Sequence, residues 1–259
     1  MPLTILFHSS KTMVPVSPSQ ELTTPVFEAQ ARELTDYLQE LSVEQLQKSM
    51  HISEKLAGEV EDLYLERLEL PATAAVETFR GDMYSGLRAL KWNDIEKGFA
   101  QKHLKILSGL YGVLRPYDGI QPYRLELGYR LPKSPYMNLY TLWSDRVAEA
   151  IAFEGPIINL TSDEFSKVVL PFLDPSRIIT PEFLTQKVAD KEPVFVVVHV
   201  KIARGAYARW LIQRGIATVD GLEKFDDLGY EYNTQRSTPS RPVYVCQQFG
   251  GIGISQRLA

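Results

Sequence analysis

Between His103 and Arg130 the chain reads HLKILSGLYGVLRPYDGIQPYRLELGYR. Leu104-Lys105-Ile106-Leu107 is an apolar run short enough for a buried strand. Directly after it, Gly109, Gly112, Gly119 and Gly128 are interspersed with Pro116 and Pro122. Glycine frees the backbone for turns and proline removes a helix donor. This spacing therefore forbids a long helix and forces a succession of turns. Ser108, Tyr111, Arg115, Tyr117, Asp118, Gln121, Tyr123, Arg124 and Glu126 are carried on those turns. A polar and aromatic loop of such length after a strand predicts a binding surface. The plainer alternative is a surface loop whose tyrosines pack and whose arginines are solvated.

The rest of the chain supplies a frame for that loop. Leu3 to His8 reads as a first strand entering a polar turn, Ser9-Ser10-Lys11-Thr12, whose lysine and backbone N–H groups could hold an anion. Thr24 to Leu41 has helical apolar spacing. Ser42-Val43-Glu44-Gln45 is a capping box that starts a short helix to Met50. His51-Ile52 is a tight connection, and Ser53 caps a second helix, Glu54 to Leu68, with Lys55 in its first turn. Pro71 to Phe79 reads as loop then strand, Asp82 as the cap of a helix Met83 to Leu90, and Asp94 as the cap of a helix ending near His103. Asn138 to Phe153 reads as one helix. Pro156 to Leu160 reads as a buried strand delivering Asn159, Ser162 and Glu164 to its carboxyl end, where α/β folds place sites.

Ile178-Ile179 and Phe183 to Val188 read as strands. Val194 to Val200, VFVVVHV, is the most strand-like stretch, with a pattern of burial on both faces. It leads into Lys201-Ile202-Ala203-Arg204-Gly205 and a helix carrying Arg204, Arg209 and Arg214. Gly229 to Thr234 and Pro242 to Gln248 read as a terminal hairpin, and Phe249 to Ala259 as a loose end. No repeat or composition break divides the 259 residues. The expectation is one α/β (mixed α+β) domain over 1–259, with a mixed central sheet.

Chemistry is narrowed mainly by exclusion. The sequence contains one cysteine, Cys246, so no internal disulfide or thiolate cage can form. Cys246 sits in an apolar run and reads as a buried, inert thiol. His8, His51, His103 and His199 are scattered, with no metal-ligand spacing, so neither a metal nor a cofactor is expected. No G-x-S-x-G, Walker or Rossmann motif is present. No apolar run is long enough for a membrane helix and no signal peptide is apparent, which fits a cytoplasmic protein. The net charge is -4, so a nucleic-acid role requires a local basic patch. What remains is a set of phosphate-binding side chains at strand ends: Lys11, Arg115, Arg124, Lys201 and Arg204. Ser108, Asn159, Ser162 and Glu164 accompany them.

The segment LSGLYGVLRPYDGIQPYRLELG resembles the corresponding segment of the YaaA-like peroxide-stress family. The likeness extends through Lys11-Thr12, Ile52 to Ala57, Gly81 to Leu87, Leu139-Tyr140 with Trp143, Asn159-Leu160 with Ser162 and Glu164, Ala203-Arg204-Gly205 and Gly229-Tyr230. The resemblance implies a mixed α/β fold with a basic cleft and a helix–hairpin–helix-like element. It also implies a cytoplasmic role in the hydrogen peroxide response, limiting iron-dependent damage, and non-specific binding of duplex and branched DNA. The hairpin element falls on about residues 42–68. The residues alone favour an ordinary αα-hairpin there, because glycines are absent from the Met50 to Ser53 turn. The family's turn ahead of Lys11-Thr12 contains a proline, whereas this chain has Ser9-Ser10. Phe165 stands where tyrosine is usual, and Ile202 where a second lysine is common.

Two functions follow. The first is a non-catalytic DNA-binding protein using Lys11, Ser53, Lys55, Arg80, Arg115, Arg124, Lys201, Arg204 and Arg209 as phosphate contacts. The second is an enzyme acting on a nucleotide or nucleobase in a pocket of Ser108, Tyr111, Tyr123, Asn159, Ser162 and Glu164. In that reading Glu164 is the general acid or base.

Overall fold

The computed structural model describes residues 2–132, 135–151, 154–188 and 191–250. In chain order the elements are β1 (Thr4–His8), α1 (Glu28–Gln39), α2 (Val43–Met50), α3 (Glu54–Glu66), β2 (Thr73–Ala74), α4 (Ala75–Thr78), α5 (Asp82–Leu87), α6 (Asp94–His103) and β3 (Leu104–Ser108). There follow β4 (Gly112–Leu114), β5 (Gly119–Ile120), α7 (Leu139–Trp143), α8 (Arg146–Ile151), β6 (Ile157–Asn159), α9 (Asp163–Ser166), β7 (Ile178–Ile179), β8 (Glu182–Thr185), α10 (Val197–Gln213), β9 (Tyr230–Tyr232) and β10 (Val243–Cys246).

The central sheet has the order β4-β3-β1-β6-β7. β1 runs parallel to both β3 and β6, β7 is parallel to β6, and β4 returns antiparallel on β3. Ile5, Leu6 and Phe7 of β1 are fully buried, as a central parallel strand covered on both faces requires. The chain goes from β1 to β3 on one side, then crosses to β6 on the other. Strand order thus reverses at β1, and the carboxyl ends of β1 and β6 open a crevice there. A second sheet, β8-β10-β9, pairs the last two strands antiparallel, and a third pairs β2 with β5. The fold is a compact mixed α/β domain.

Two glycines set how α10 meets the sheet layer. A Cβ on Gly86 of α5 would collide with the Ile202 carbonyl, and one on Gly205 of α10 with the Met83 carbonyl. The two helices therefore cross backbone to backbone. This brings Arg80, Gly81 and Asp82, which lead into α5, beside Lys201 and Arg204 on the early turns of α10. Arg209 closes the crossing by donating to the Gly86 carbonyl while pairing with Asp227.

Several elements differ from the sequence expectation. VFVVVHV is not a strand. Val194 makes one antiparallel bridge with Thr185, and the chain becomes α10 at Val197. Val194, Phe195, Val197 and Val198 are exposed rather than buried on two faces. Packing of the Gly/Ala-rich turn around Gly205 against α5 outweighs the strand propensity of the valines. The described part of residues 138–153 forms two short helices rather than one, broken where Ser144 adopts left-handed φ (43°). Of that stretch, Ala152 and Phe153 lie outside the described residues. The strand expected before Phe79 is only Thr73–Ala74, followed by a helical turn. Gly81, not Asp82, occupies the cap position of α5, and that helix stops at Leu87. Asn93, not Asp94, caps α6, through a reciprocal box with Glu96. β8 ends at Thr185 rather than Val188. The loose end beyond Gly250 lies outside the described residues.

The α2–α3 pair agrees with the sequence reading. Ser42 and Gln45 form the capping box, Ser53 caps α3, and His51 makes the turn in left-handed backbone (φ 52°). Cys246 is a buried free thiol.

Candidate functional site

A cleft of about 440 Å³ opens at the carboxyl ends of β1 and β6. Its floor is His8, Ser9 and Ser10, its sides are Arg80–Tyr84 and Lys201 with Arg204, and its far wall is Ser162, Glu164 and Phe165. Lys11, Glu126 and Glu164 also line a second space of about 410 Å³, which runs on to Met50, His51 and Ile52 and is bordered by Arg124, Gly128 and Tyr129. The shared walls make the two spaces one groove, from the α2–α3 turn to the first turns of α10. A larger cavity, about 720 Å³, lies elsewhere, beside Ile178, Tyr232 and Pro239. No residue expected from sequence lines it.

β1 delivers His8. Its Nδ1 is 2.8 Å from the Ser9 carbonyl oxygen. A carbonyl can only accept, so Nδ1 carries the hydrogen and Nε2 is left as an acceptor. The ring stacks on Phe165, with centroids 4.5 Å apart and planes at 9°. Burial, helped by the positive charges of Arg204 and Lys201, pulls the imidazole pKa down to about 4. At neutral pH His8 is an uncharged group. Tyr84 of α5 donates to the His8 carbonyl at 2.9 Å and ties the strand end to the helix.

The long loop after β3 delivers Glu126. Leu125 and Leu127 are buried on the core side, and the residue between them turns toward the cleft. Burial pushes the Glu126 carboxyl up to about 7; Lys11 opposes the rise, Glu164 adds to it, and Arg124 opposes it. Lys11 Nζ is 3.8 Å from Glu126 Oε2 across the groove. Glu164 is held in place by the Gly128 N–H, which donates to its Oε1 at 3.0 Å. A side chain at 128 would approach that oxygen to 3.2 Å, so glycine keeps the contact open.

The cations are held to different degrees. Arg80 donates from Nη1 to the Glu77 and Phe79 carbonyls at 2.6 and 3.0 Å, so its position is fixed. Arg204 is largely buried, which lowers its pKa against the pull of Asp163. The Nε atoms of Arg204 and Arg124 are buried without a hydrogen-bond partner. Lys201 is exposed.

Other expected residues stand apart from the groove walls. Arg115 pairs with fully buried Asp118 at 2.8 Å and donates to the Thr24 carbonyl, which locks the loop from beneath. Arg209 is the α5–α10 clamp. Ser53 is spent as a helix cap, accepting from Leu56 N–H at 3.3 Å. Lys55 extends into solvent near Glu59, 3.9 Å away. Ser108, Tyr111 and Tyr123 are core residues. The Ser108 and Tyr123 hydroxyls are 2.7 Å apart, and Tyr111 accepts from Arg67. Asn159 shapes the turn leaving β6, accepting from Thr161 N–H at 3.1 Å and donating to Thr180 at 3.3 Å. The structure thus brings together Lys11, Arg80, Arg124, Ser162, Glu164, Lys201 and Arg204.

The two residue sets expected from sequence did not name His8, Tyr84 or Phe165, nor Glu126, although the loop that carries Glu126 was read as a binding surface. The signal for Glu126 was its place between two leucines on the shaped loop; for His8 it was its position as the last residue of a strand. Among the described residues, no three His, Cys, Asp or Glu side chains come together as a metal-holding group. No helix among them is long and apolar enough to cross a membrane.

The chain is thus a mixed α/β protein with a charged groove where its strand order reverses. The chain belongs to the family described as peroxide stress protein YaaA, whose model matches residues 3–236. A UPF0246 protein of Salinispora tropica is 45% identical over 256 residues, covering 98% of this chain and 97% of that protein. UPF0246 proteins of Roseobacter denitrificans and Dinoroseobacter shibae are 38% and 39% identical, over 90% and 94% of this chain and 97% and 94% of theirs.

Proposed function

We propose that this peroxide-stress protein binds duplex or branched DNA without sequence preference, laying the phosphate backbone along the groove, and so limits iron-dependent oxidative damage to it. The supporting observation is the convergence of five cations, Lys11, Arg80, Arg124, Lys201 and Arg204, on one continuous groove. Two of these arginines have an Nε donor unused within the protein. The groove also reaches the α2–α3 turn, where a helix N-terminus can receive a phosphate. The test is binding of labelled duplex and junction DNA across a salt series. Affinity is expected to fall steeply with salt, and Lys201→Ala/Arg204→Ala is expected to reduce the log–log slope by about 2. A flat salt dependence for the unaltered protein refutes backbone binding.

A second reading has its own supporting observation. The groove holds a neutral imidazole, His8, and a carboxyl titrating near neutrality, Glu126. Groups whose surroundings drive their pKa values apart mark acid–base chemistry in enzymes. On this reading the protein acts on a nucleotide or nucleobase. A screen of nucleotides for turnover tests it: loss of turnover in Glu126→Gln supports it, and absence of turnover across the screen removes it.

A further inference from the structure

The groove's one cross-wall ion pair among the described residues joins an exposed cation to a half-buried acid. The Lys11 side chain is 52% exposed and the Glu126 side chain 12% exposed, with 3.8 Å between them. An anion entering the groove meets Lys11 first, because the ammonium stands at the solvent side. The same anion, drawn to Lys11, comes close to Glu126, which lines both parts of the groove 3.8 Å from that lysine. A ligand phosphate and an ionised Glu126 therefore compete for one lysine and repel each other in a poorly solvated space.

We infer that the groove takes up its anionic ligand together with one proton, which resides on Glu126. This rests on the backbone-binding reading above and adds the regulation of that site. Protonated Glu126 releases Lys11 to the ligand and removes the repulsion; ionised Glu126 does the reverse.

Several charged and titratable groups share the groove with Glu126, among them Asp82, Lys201, Arg204 and His8, whose pKa near 4 keeps it neutral through the physiological interval. From the loop before α1 it faces Lys11; from its own stretch, Tyr123, Arg124 and Tyr129; and from α7 and α9, Tyr140 and Glu164. Lys11 and Arg124 favour ionisation, and Glu164 opposes it. Burial raises the pKa values of the three tyrosines above their ordinary range, so they hold their protons throughout the physiological interval. Glu164 already uses one carboxylate oxygen on the Gly128 N–H. In the free protein Glu126 titrates near pH 7. Bound phosphate raises that midpoint further, so affinity is level below pH 7 and falls about tenfold per pH unit above it until the bound-state midpoint is passed.

The experiment uses the full chain and a short fluorescein-labelled DNA duplex at low salt, read by anisotropy from pH 6 to 9. His51→Asn removes the imidazole at the far end of the groove, and asparagine tolerates left-handed backbone. The expected result is at least a tenfold loss of affinity between pH 7 and 8.5 in both the unaltered chain and His51→Asn. Glu126→Gln is expected to show an even affinity across the range. Carboxyl-labelled glutamate spectra of the free protein should show one carboxyl with a midpoint near 7 that Glu126→Gln abolishes. If the duplex binds with the same affinity at every pH, or Glu126→Gln keeps the fall, proton uptake is overturned while backbone binding stands. If the duplex fails to bind even at pH 6, both fall.

Discussion

His8 and Glu126 face the same groove and are shifted in opposite directions. Removing each should tilt the pH dependence of stability in opposite senses. His8 has a pKa of about 4 in the fold against 6.5 when unperturbed. The folded state excludes its proton, so the stability it contributes is whole above pH 6.5 and lost as pH falls toward 4. Glu126 has a value of about 7 against 4.5. The folded state retains its proton, so its contribution is whole below pH 4.5 and lost as pH rises toward 7. Each gap is about 2.5 pH units, which at about 1.4 kcal/mol per unit is roughly 3 kcal/mol. The two windows overlap almost entirely, so in the unaltered protein the two slopes nearly cancel. The assay is urea unfolding of the unaltered chain, His8→Gln and Glu126→Gln at intervals from pH 4 to 8. Relative to the unaltered chain, His8→Gln should gain about 3 kcal/mol on going from pH 6.5 to 4. Glu126→Gln should lose a similar amount from pH 7 to 4.5. Loss of the His8–Phe165 stack adds a constant offset but no slope. If either variant's curve runs parallel to that of the unaltered chain, the burial assigned to that group is wrong.

Two further outcomes follow from packing. Gly205→Ala puts a Cβ 2.8 Å from Leu87 N and closer still to the Met83 carbonyl, where ordinary contact begins at 3.4 Å. The α5–α10 crossing must open, and the cost is about 1–3 kcal/mol, seen as a lower thermal midpoint by a few degrees. Gly58→Ala and Gly98→Ala meet nothing within 4 Å and should stabilise their helices by about 0.5–1 kcal/mol, so the same substitution changes sign between sites. Asp118 is fully buried and accepts from Arg115 N, Arg115 Nε and Thr23 Oγ1 at 2.7, 3.0 and 2.6 Å. Asp118→Ala leaves those donors unanswered and should cost about 3–5 kcal/mol in urea unfolding, with Asp118→Asn costing less.

The legible parts of the fold are those that local chemistry decides. Ser42-Val43-Glu44-Gln45 and Ser53 announce their helices because a cap needs only neighbours in sequence, and both caps form. β1 and β3 are legible because a buried central strand reads as a short, mainly apolar run, interrupted in β3 by Lys105. VFVVVHV fits that description equally well and is mostly helix. What decides it lies outside the segment: Gly205 fits only against the backbone of α5, whose Gly86 gives the matching space. Close backbone approach depends on pairs of glycines far apart in the chain, and no periodicity reports it. Ser144 is illegible for a similar reason, since a left-handed serine has no composition signal.

The site divides in the same way. Lys11 and Glu164 could be found because they follow strands, where α/β folds collect such positions; Arg204 was reached through an expected strand that is helix α10. Arg115 and Arg209 have the same residue type and similar settings, yet acidic partners, the fully buried Asp118 and the half-buried Asp227, claim them. The overall charge of -4 was a reason to doubt a nucleic-acid groove, but charges on opposite faces of a protein hardly interact, because salt screens them beyond about 8 Å. The groove's own balance is what a ligand meets: Lys11, Arg80, Arg124, Lys201 and Arg204 against Asp82, Glu126 and Glu164. Acids such as Glu44 and Glu59 lie on exposed helix faces paired with Lys48 and Lys55 and contribute little to the groove. Of the three carboxyls in the groove, burial has half-neutralised Glu126 at pH 7. The local field therefore favours anions throughout and does so more strongly on acidification, and Glu126 sets where that strengthening happens.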